Sequence, residues 1–265
     1  MTGVSRRRSD LISLAGVPIA IGVVLLAQAL DGGSARSLWQ PTAALIVFGG
    51  TFGAVLVSFS VQAVVGTMAA VVDAFRGQID AEPIVQRLVG YAIASRRSGV
   101  VALEVEIDRT SDEFLRNALM LVSDGTTPKI TRQILDIENH SRRAVAEVPA
   151  DVLETAAGYT PTLGILGAVL GLIRVMQNLG DPSKLGTGIA VAFVATVYGV
   201  GAANLVLLPL ATKLRGRARD EALHREIVIE GMVALQEGLN PRLIEQQLRS
   251  FASPSSPEPS VRRAA

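Results

Sequence analysis

Hydrophobic positions in this chain fall in long blocks, not in the alternating stripes of a soluble protein. Leu11–Leu30 is an uncharged run of 20 residues, Ser37–Val72 one of 36, Thr155–Ile173 one of 19 and Gly186–Ala211 one of 26. About 20 residues at ~1.5 Å rise cross the hydrocarbon core of a bilayer. The pattern therefore predicts four membrane-spanning helices. The second run is longer than a bilayer needs, and its helix is expected to continue toward Phe75. Arg6, Arg7 and Arg8 before the first run raise the reading of a cleaved signal sequence. That run exceeds the ~7–15 residues of a signal core, and Ala27-Gln28-Ala29 is a weak cleavage site, so a retained helix is the better reading.

Between and after these blocks the period changes to that of water-facing helices. Ile84, Leu88 and Tyr91 share one face, and Phe114, Leu115, Ala118, Leu119 and Val122 share another at i, i+3/i+4, i+7 spacing. Asp124-Gly125 reads as a helix stop, and Thr127-Pro128 as the start of a helix continued by Ile130, Ile134 and Ile137. The same device recurs where Ile227, Met232 and Leu235 end at Gly238 and Asn240-Pro241 opens a helix with Leu243, Ile244 and Leu248. No stretch reads as a strand. The expected fold is all-α: a multi-pass membrane protein with four transmembrane helices and a helical cytoplasmic domain. The expected divisions are a cytoplasmic N-terminus (1–10), helices 1 and 2 (11–67) and the cytoplasmic domain (68–154). Helices 3 and 4 (155–211), a cytoplasmic helical tail (212–251) and a Ser/Pro-rich disordered tail (252–265) follow.

Charge placement orients these spans. The short loops Asp31–Gln40 and Gln177–Leu185 carry one basic residue each, Arg36 and Lys184. The N-terminus has three, Asp73–Glu154 has ten and the tail from Lys213 has nine. Basic residues favour the cytoplasmic side, which places both termini and the middle segment inside. The juxtamembrane cluster Lys213, Arg215, Arg217 and Arg219 is expected to face anionic headgroups, not nucleic acid. The absence of Cys excludes disulfides and thiolate metal sites, and His140 and His224 are expected to face solvent without forming a metal site. No nucleophile–base pair, metal-ligand cluster or phosphate loop lies at membrane depth, so no enzymatic activity and no cofactor are expected.

The last two spans hold the candidate chemistry. Gly49 with Gly53, and Gly167 with Gly171, have the spacing that lets membrane helices approach closely. Ala192, Ala195, Thr196, Gly199 and Ala203 form a narrow face on the fourth span; plain packing, with Thr196 bonded back to its own helix, is the competing reading. Pro161 and Pro209 each remove a backbone hydrogen bond near the cytoplasmic end of a span. No Asp, Glu, Lys or His lies near the centre of any span. Ion-moving proteins use an ionisable group at that depth, so a titrating carboxylate would have to come from another polypeptide.

Several ordered blocks carry a family resemblance. They are Tyr159–Gly171 (YTPTLGILGAVLG), Ala192–Gly199 (AFVATVYG), Pro209–Leu214 (PLATKL) and Ile229–Pro241 (IEGMVALQEGLNP), with Ser95–Gly99 and Ala102–Glu104 upstream. With them the chain resembles the MotA/PomA family, the A subunits of the bacterial flagellar motor stator, within the wider MotA/TolQ/ExbB group, from about Leu11 to Phe251. The resemblance implies a pentameric ring around a dimer of MotB-type B subunits, each with one membrane helix, an ion-carrying Asp and a peptidoglycan anchor. It implies that Pro161 and Pro209 are functional prolines and that Thr196 faces the ion route. It also implies that Arg96 and Glu104, with Glu138 further on, engage the rotor's torque-ring protein. Sodium-driven relatives carry a second threonine where this chain has Ala168; losing that oxygen ligand favours protons. The implied protein sits in the bacterial inner membrane among lipids and couples inward proton flow to torque. The alternatives are a TolQ/ExbB-like energiser of envelope transport and a non-conducting membrane scaffold.

Overall fold

A computed structural model describes residues 11–75 and 80–252, and every described element is helical. The expectations for residues 1–10 and for the tail beyond residue 252 lie outside the described residues. The chain divides into two compact units, Met1–Gln78 with Ala146–Arg217 and Ile79–Val145 with Ala218–Ala265.

The first unit begins with α1 (Leu11–Leu30), whose C-terminal turn is closed by Asp31, Gly32 and a 3-10 turn at Ala35–Leu38. Gly32 has φ +80°, a conformation that suits a residue without Cβ. α2 (Pro41–Ser58) follows, with proline at its first helical position, where no backbone N–H partner is needed. The turn before α2 is pinned to Tyr198: its hydroxyl donates to the Leu38 carbonyl, and the Gln40 N–H donates to the same hydroxyl at 3.3 Å.

The second uncharged run does not form one helix toward Phe75, contrary to expectation. α2 stops at Ser58, Phe59 and Ser60 are extended, and α3 (Val61–Ala74) begins afresh. The cause is local hydroxyl chemistry. Ser60 caps α3 by accepting the Ala63 N–H at 3.3 Å, and Ser58 donates to the Ala54 carbonyl at 3.0 Å. Serine offers the backbone an alternative to the helix ladder here, which hydropathy does not register.

The long helix α7 (Pro128–Gln177, 50 residues) runs on through Pro149 and Pro161. α8 (Pro182–Ala202) passes through a π-type segment at Ala203–Leu207 into α9 (Leu208–Gln236). The π segment comes immediately before Pro209, where the ladder must absorb a missing donor and the ring's bulk. Among the described residues, three helices are long and apolar enough to cross a membrane: Pro41–Ser58, Pro128–Gln177 and Leu185–Gln236.

The second unit is built from α4 (Glu82–Ser98), α5 (Glu104–Arg109), α6 (Glu113–Ser123) and α10 (Pro241–Ala252), with portions of α7 and α9. Leu88, Phe114, Leu119, Leu135, Ile227, Met232, Ile244 and Leu248 form its core, each at most 2% exposed. Asp112 caps α6 by accepting from Phe114 N at 2.9 Å and Leu115 N at 3.3 Å. Gly99, Gly125 and Gly238 take positive φ at the ends of α4, α6 and α9; the turns at Gly125 and Gly238 fall where the sequence pattern stopped. Ile130, Ile134 and Ile137 do lie on α7, but all three are exposed; Thr131 and Leu135 face the core instead. The Gln86 amide, helped by Arg249 of α10 at 3.1 Å, holds the carboxyl of Glu82 on α4 below its ordinary range.

Within the first unit α7 and α8 meet backbone to backbone. A Cβ on Gly164 would lie 2.9 Å from the Ala195 carbonyl oxygen and 3.2 Å from Gly199 Cα. One on Gly171 would lie 2.8 Å from Ala192 N, and one on Gly167 2.7 Å from Ala195 Cβ. Gly49 and Gly53 meet no other helix; their neighbour Gly50 does, against Leu163 at 3.1 Å. Gly164→Ala is expected to lower stability by about 1–3 kcal/mol through overpacking. Gly201→Ala, whose Cβ would meet nothing within 4 Å, is expected to be neutral or stabilising. Thermal unfolding of the two variants side by side checks the contrast.

Candidate functional site

The glycine seam brings two of the candidate residues together. A Cβ on Gly199 would lie 3.2 Å from Pro161 Cα and 2.9 Å from the Thr160 carbonyl, and one on Gly164 would lie 3.5 Å from Thr196 Cα. Pro161 and Thr196 thus flank the same crossing of α7 and α8. Pro161 supplies no N–H to the Ala157 carbonyl, so that carbonyl lacks its ordinary helix bond at this point. Thr196 is exposed and donates only a long 3.3 Å bond to the Ala192 carbonyl. Its hydroxyl oxygen retains acceptor capacity on a face that this chain does not cover.

Ala168 is half-buried on α7 one residue beyond Gly167, and Pro209 is exposed at the start of α9. No Asp, Glu, Lys, Arg or His occurs within Thr155–Ile173 or Gly186–Ala211. The seam can therefore present hydroxyl and carbonyl oxygens to an acid but cannot itself titrate.

Sequence reasoning missed a second layer of hydroxyls behind Pro161. Thr160 is 1% exposed and donates to the Ala156 carbonyl, with the Thr51 hydroxyl 3.4 Å away. The Ser58 and Tyr159 hydroxyls lie 3.0 Å apart. Tyr159, Thr160 and Pro161 are consecutive, and that run was the available signal.

Arg215 departs from the headgroup-facing expectation. Its guanidinium spans Glu154 and Asp151, with Nη2 at 2.8 Å from an oxygen of each. The two acids are three residues apart on α7, one helical turn, so a planar fork can bridge them. Lys213 lies over the Phe75 ring at 5.1 Å.

The candidate rotor residues lie in the second unit. Arg96 is exposed in the last turn of α4, and Glu104 is exposed at the first position of α5, where it accepts from the Ser123 hydroxyl at 3.3 Å. Glu138 is half-buried and engaged: Arg142 reaches it at 2.8 Å and the Asn117 amide at 3.4 Å. His140 is exposed, but His224 is not the solvent-facing residue expected; its Nδ1 is buried with no hydrogen-bond partner. Apolar neighbours on α9 such as Ile227 and Val228 draw that helix face inward. Among the described residues no group of His and acidic side chains could hold a metal.

Residues 106–227 match the profile of the MotA/TolQ/ExbB proton channel family, and residues 14–92 match the N-terminal region of motility protein A. Motility protein A of Bacillus subtilis (strain 168) is 34% identical over 244 residues, covering 91% of this chain and 90% of that one. The chain belongs to the motility protein A family. Chemotaxis protein PomA of Vibrio alginolyticus is 32% identical over 246 residues, covering 91% of this chain and 95% of its own. Among solved structures, C. jejuni MotAB matches with TM-score 0.87 at 27% identity, over 94% of this chain and 98% of that one. The flagellar MotAB stator complex from Bacillus subtilis matches with TM-score 0.84 at 32% identity, over 92% and 97%.

As a member of this family the chain is a stator-type membrane subunit, and the Arg215 fork is a structural feature that ties α9 to α7. Exposed ion pairs contribute ~0.2–1 kcal/mol and are screened by salt. Arg215→Gln is therefore expected to lower stability by less than ~1 kcal/mol at low salt, and by less still at high salt. Thermal midpoints measured at both ionic strengths check this.

Proposed function

We propose that this chain is the A subunit of a proton-driven flagellar stator in the bacterial inner membrane. It spans the bilayer four times, through residues 11–30, a second span within 37–58, 155–173 and 186–211, with both termini and the helical segment 68–154 in the cytoplasm. Five copies would surround two B subunits, each contributing one membrane helix and the titrating Asp. The observation that carries this reading is the charge-free α7–α8 seam, with Thr196 exposed beside Pro161. The match of residues 14–92 to the motility protein A N-terminal region favours a stator over a TolQ/ExbB-like energiser.

In this mechanism a proton entering from outside neutralises the B-subunit Asp beside Thr196 and leaves toward the cytoplasm past Pro161. A neutral acid tolerates apolar surroundings that a carboxylate does not, so each protonation biases the ring to step. Membrane potential supplies about 2.3 kcal/mol per charge per 100 mV. Ala168 offers no side-chain oxygen to a partly dehydrated cation, whereas a proton needs only the acid and a water path. Pro209 supports the same route from the fourth span by leaving the ladder adaptable beside the Ala203–Leu207 π segment. Arg96 and Glu104 meet rotor charges, and Glu138 supports that surface through Arg142.

Thr196→Val should cut rotation speed severely while the complex still assembles, and Thr196→Ser should retain most of it, as read from tethered cells. Full speed in Thr196→Val overturns the role of the hydroxyl. Reversing Arg96 and Glu104 together should impair motility and be partly rescued by reversed charges on the rotor, because charge placement sets register more than affinity. Swimming indifferent to the reversal leaves these two as ordinary surface charges.

A further inference from the structure

The Tyr198 side chain makes two long-range hydrogen bonds that the ion route does not account for. Its hydroxyl donates to the Leu38 carbonyl and accepts the Gln40 N–H at 3.3 Å, joining positions 160 and 158 residues apart. Both partners lie in the turn that leads into α2, so one oxygen ties that turn to α8. The ring is seated as well. Phe48 of α2 lies 5.7 Å away between ring centres, and Leu38 and Tyr198 pack on a buried cluster of Ala43, Val47, Val191, Val194 and Ala195.

A phenol hydroxyl has one proton to give and lone pairs to receive, and here both capacities are used. Leu38 and Gln40 are half-buried. Removing the hydroxyl would leave a backbone carbonyl and a backbone N–H without their partner, a loss felt more than the bonds themselves are worth. Replacing Tyr by Phe keeps the ring and removes only this clamp.

The clamp controls what the glycine seam does not. Gly164, Gly171 and Gly199 set how closely α7 and α8 approach. A contact made through glycine backbone has no projecting side chain to fix the rotation of α8 about its own axis. Thr196 needs that rotation fixed, because its hydroxyl bonds only within its own helix, to the Ala192 carbonyl. At ~100° per residue, positions 196 and 198 lie ~200° apart, on nearly opposite faces of the helix. Thr196 is exposed and Tyr198 half-buried, as that geometry requires. A hold on one face therefore sets the direction in which the other face points. We propose that Tyr198 is a positioning residue that holds the Thr196 hydroxyl toward the ion route, a role that rests on the route proposed above at Thr196.

The chain contains no cysteine, so Thr196→Cys places its one thiol at the position in question. The rate at which a small water-soluble methanethiosulfonate modifies that thiol is measured in the assembled stator complex, with and without Tyr198→Phe. One net hydrogen bond shifts a population by about two- to tenfold. Tyr198→Phe should slow labelling by that order and, with Thr196 in place, should slow rotation of tethered cells. Phe48→Leu, which loosens the ring contact but keeps both hydrogen bonds, should leave labelling unchanged even if the thermal midpoint falls. Equal or faster labelling with Tyr198→Phe overturns the proposal. So does slowing shared by Phe48→Leu, which assigns the effect to packing. Full rotation speed in Tyr198→Phe beside a slow Thr196→Val also overturns it, while the proposed ion route stands. No labelling in either background takes position 196 off any aqueous path, and the proposed function then fails together with this role.

Discussion

The contact between α7 and α8, through backbone and not through side chains, is the constraint on which the rest depends. In hydrocarbon, apolar side chains gain little by leaving lipid for protein, so association rests on close van der Waals approach. Gly164, Gly171 and Gly199 supply that approach, with ideal Cβ positions 2.8–2.9 Å from the facing backbone. The same closeness fixes Pro161 and Thr196 on one crossing. A seam this tight cannot shift by a side-chain rotation. It holds one hydroxyl and one under-bonded carbonyl in a defined relation to whatever lies outside.

The second unit is held by different physics. Its core is built of Leu, Ile, Phe and Met, closed by glycines in left-handed conformation and by the Asp112 cap. Here burial of apolar surface supplies the driving force. Ion pairs such as Arg132–Glu230 at 2.7 Å and Arg249–Glu82 at 3.1 Å set which helix faces meet. One chain thus combines a lipid-facing unit packed by small residues with a unit packed by large ones.

Block hydropathy and cap chemistry made most of the helices legible beforehand. Phe114–Val122, the stop at Gly125 and the restart at Pro128 sit where their spacing placed them, because each depends on neighbours in sequence. The break at Phe59–Ser60 was not legible, since two serine hydroxyls in an uncharged run leave hydropathy unchanged. Gly50 rather than Gly49 meets α7, because choosing between adjacent glycines needs the rotation of the helix. The pairing of Arg215 with Glu154 depends on a partner 61 residues away, beyond any local pattern, whereas the partial burial of His224 follows from the buried Ile227 and Val228 one turn along its own helix. Pro161 and Thr196 were legible as candidates; that they share a crossing was not.

If the acid that moves protons belongs to a companion, this chain alone should be electrically silent. Reconstitution into vesicles with a pH-sensitive dye and an imposed potential tests that directly. The account predicts proton uptake when this chain and a B-type partner are present together, and none above background with this chain alone or with a partner lacking its membrane Asp. Proton uptake by this chain without the partner would contradict it.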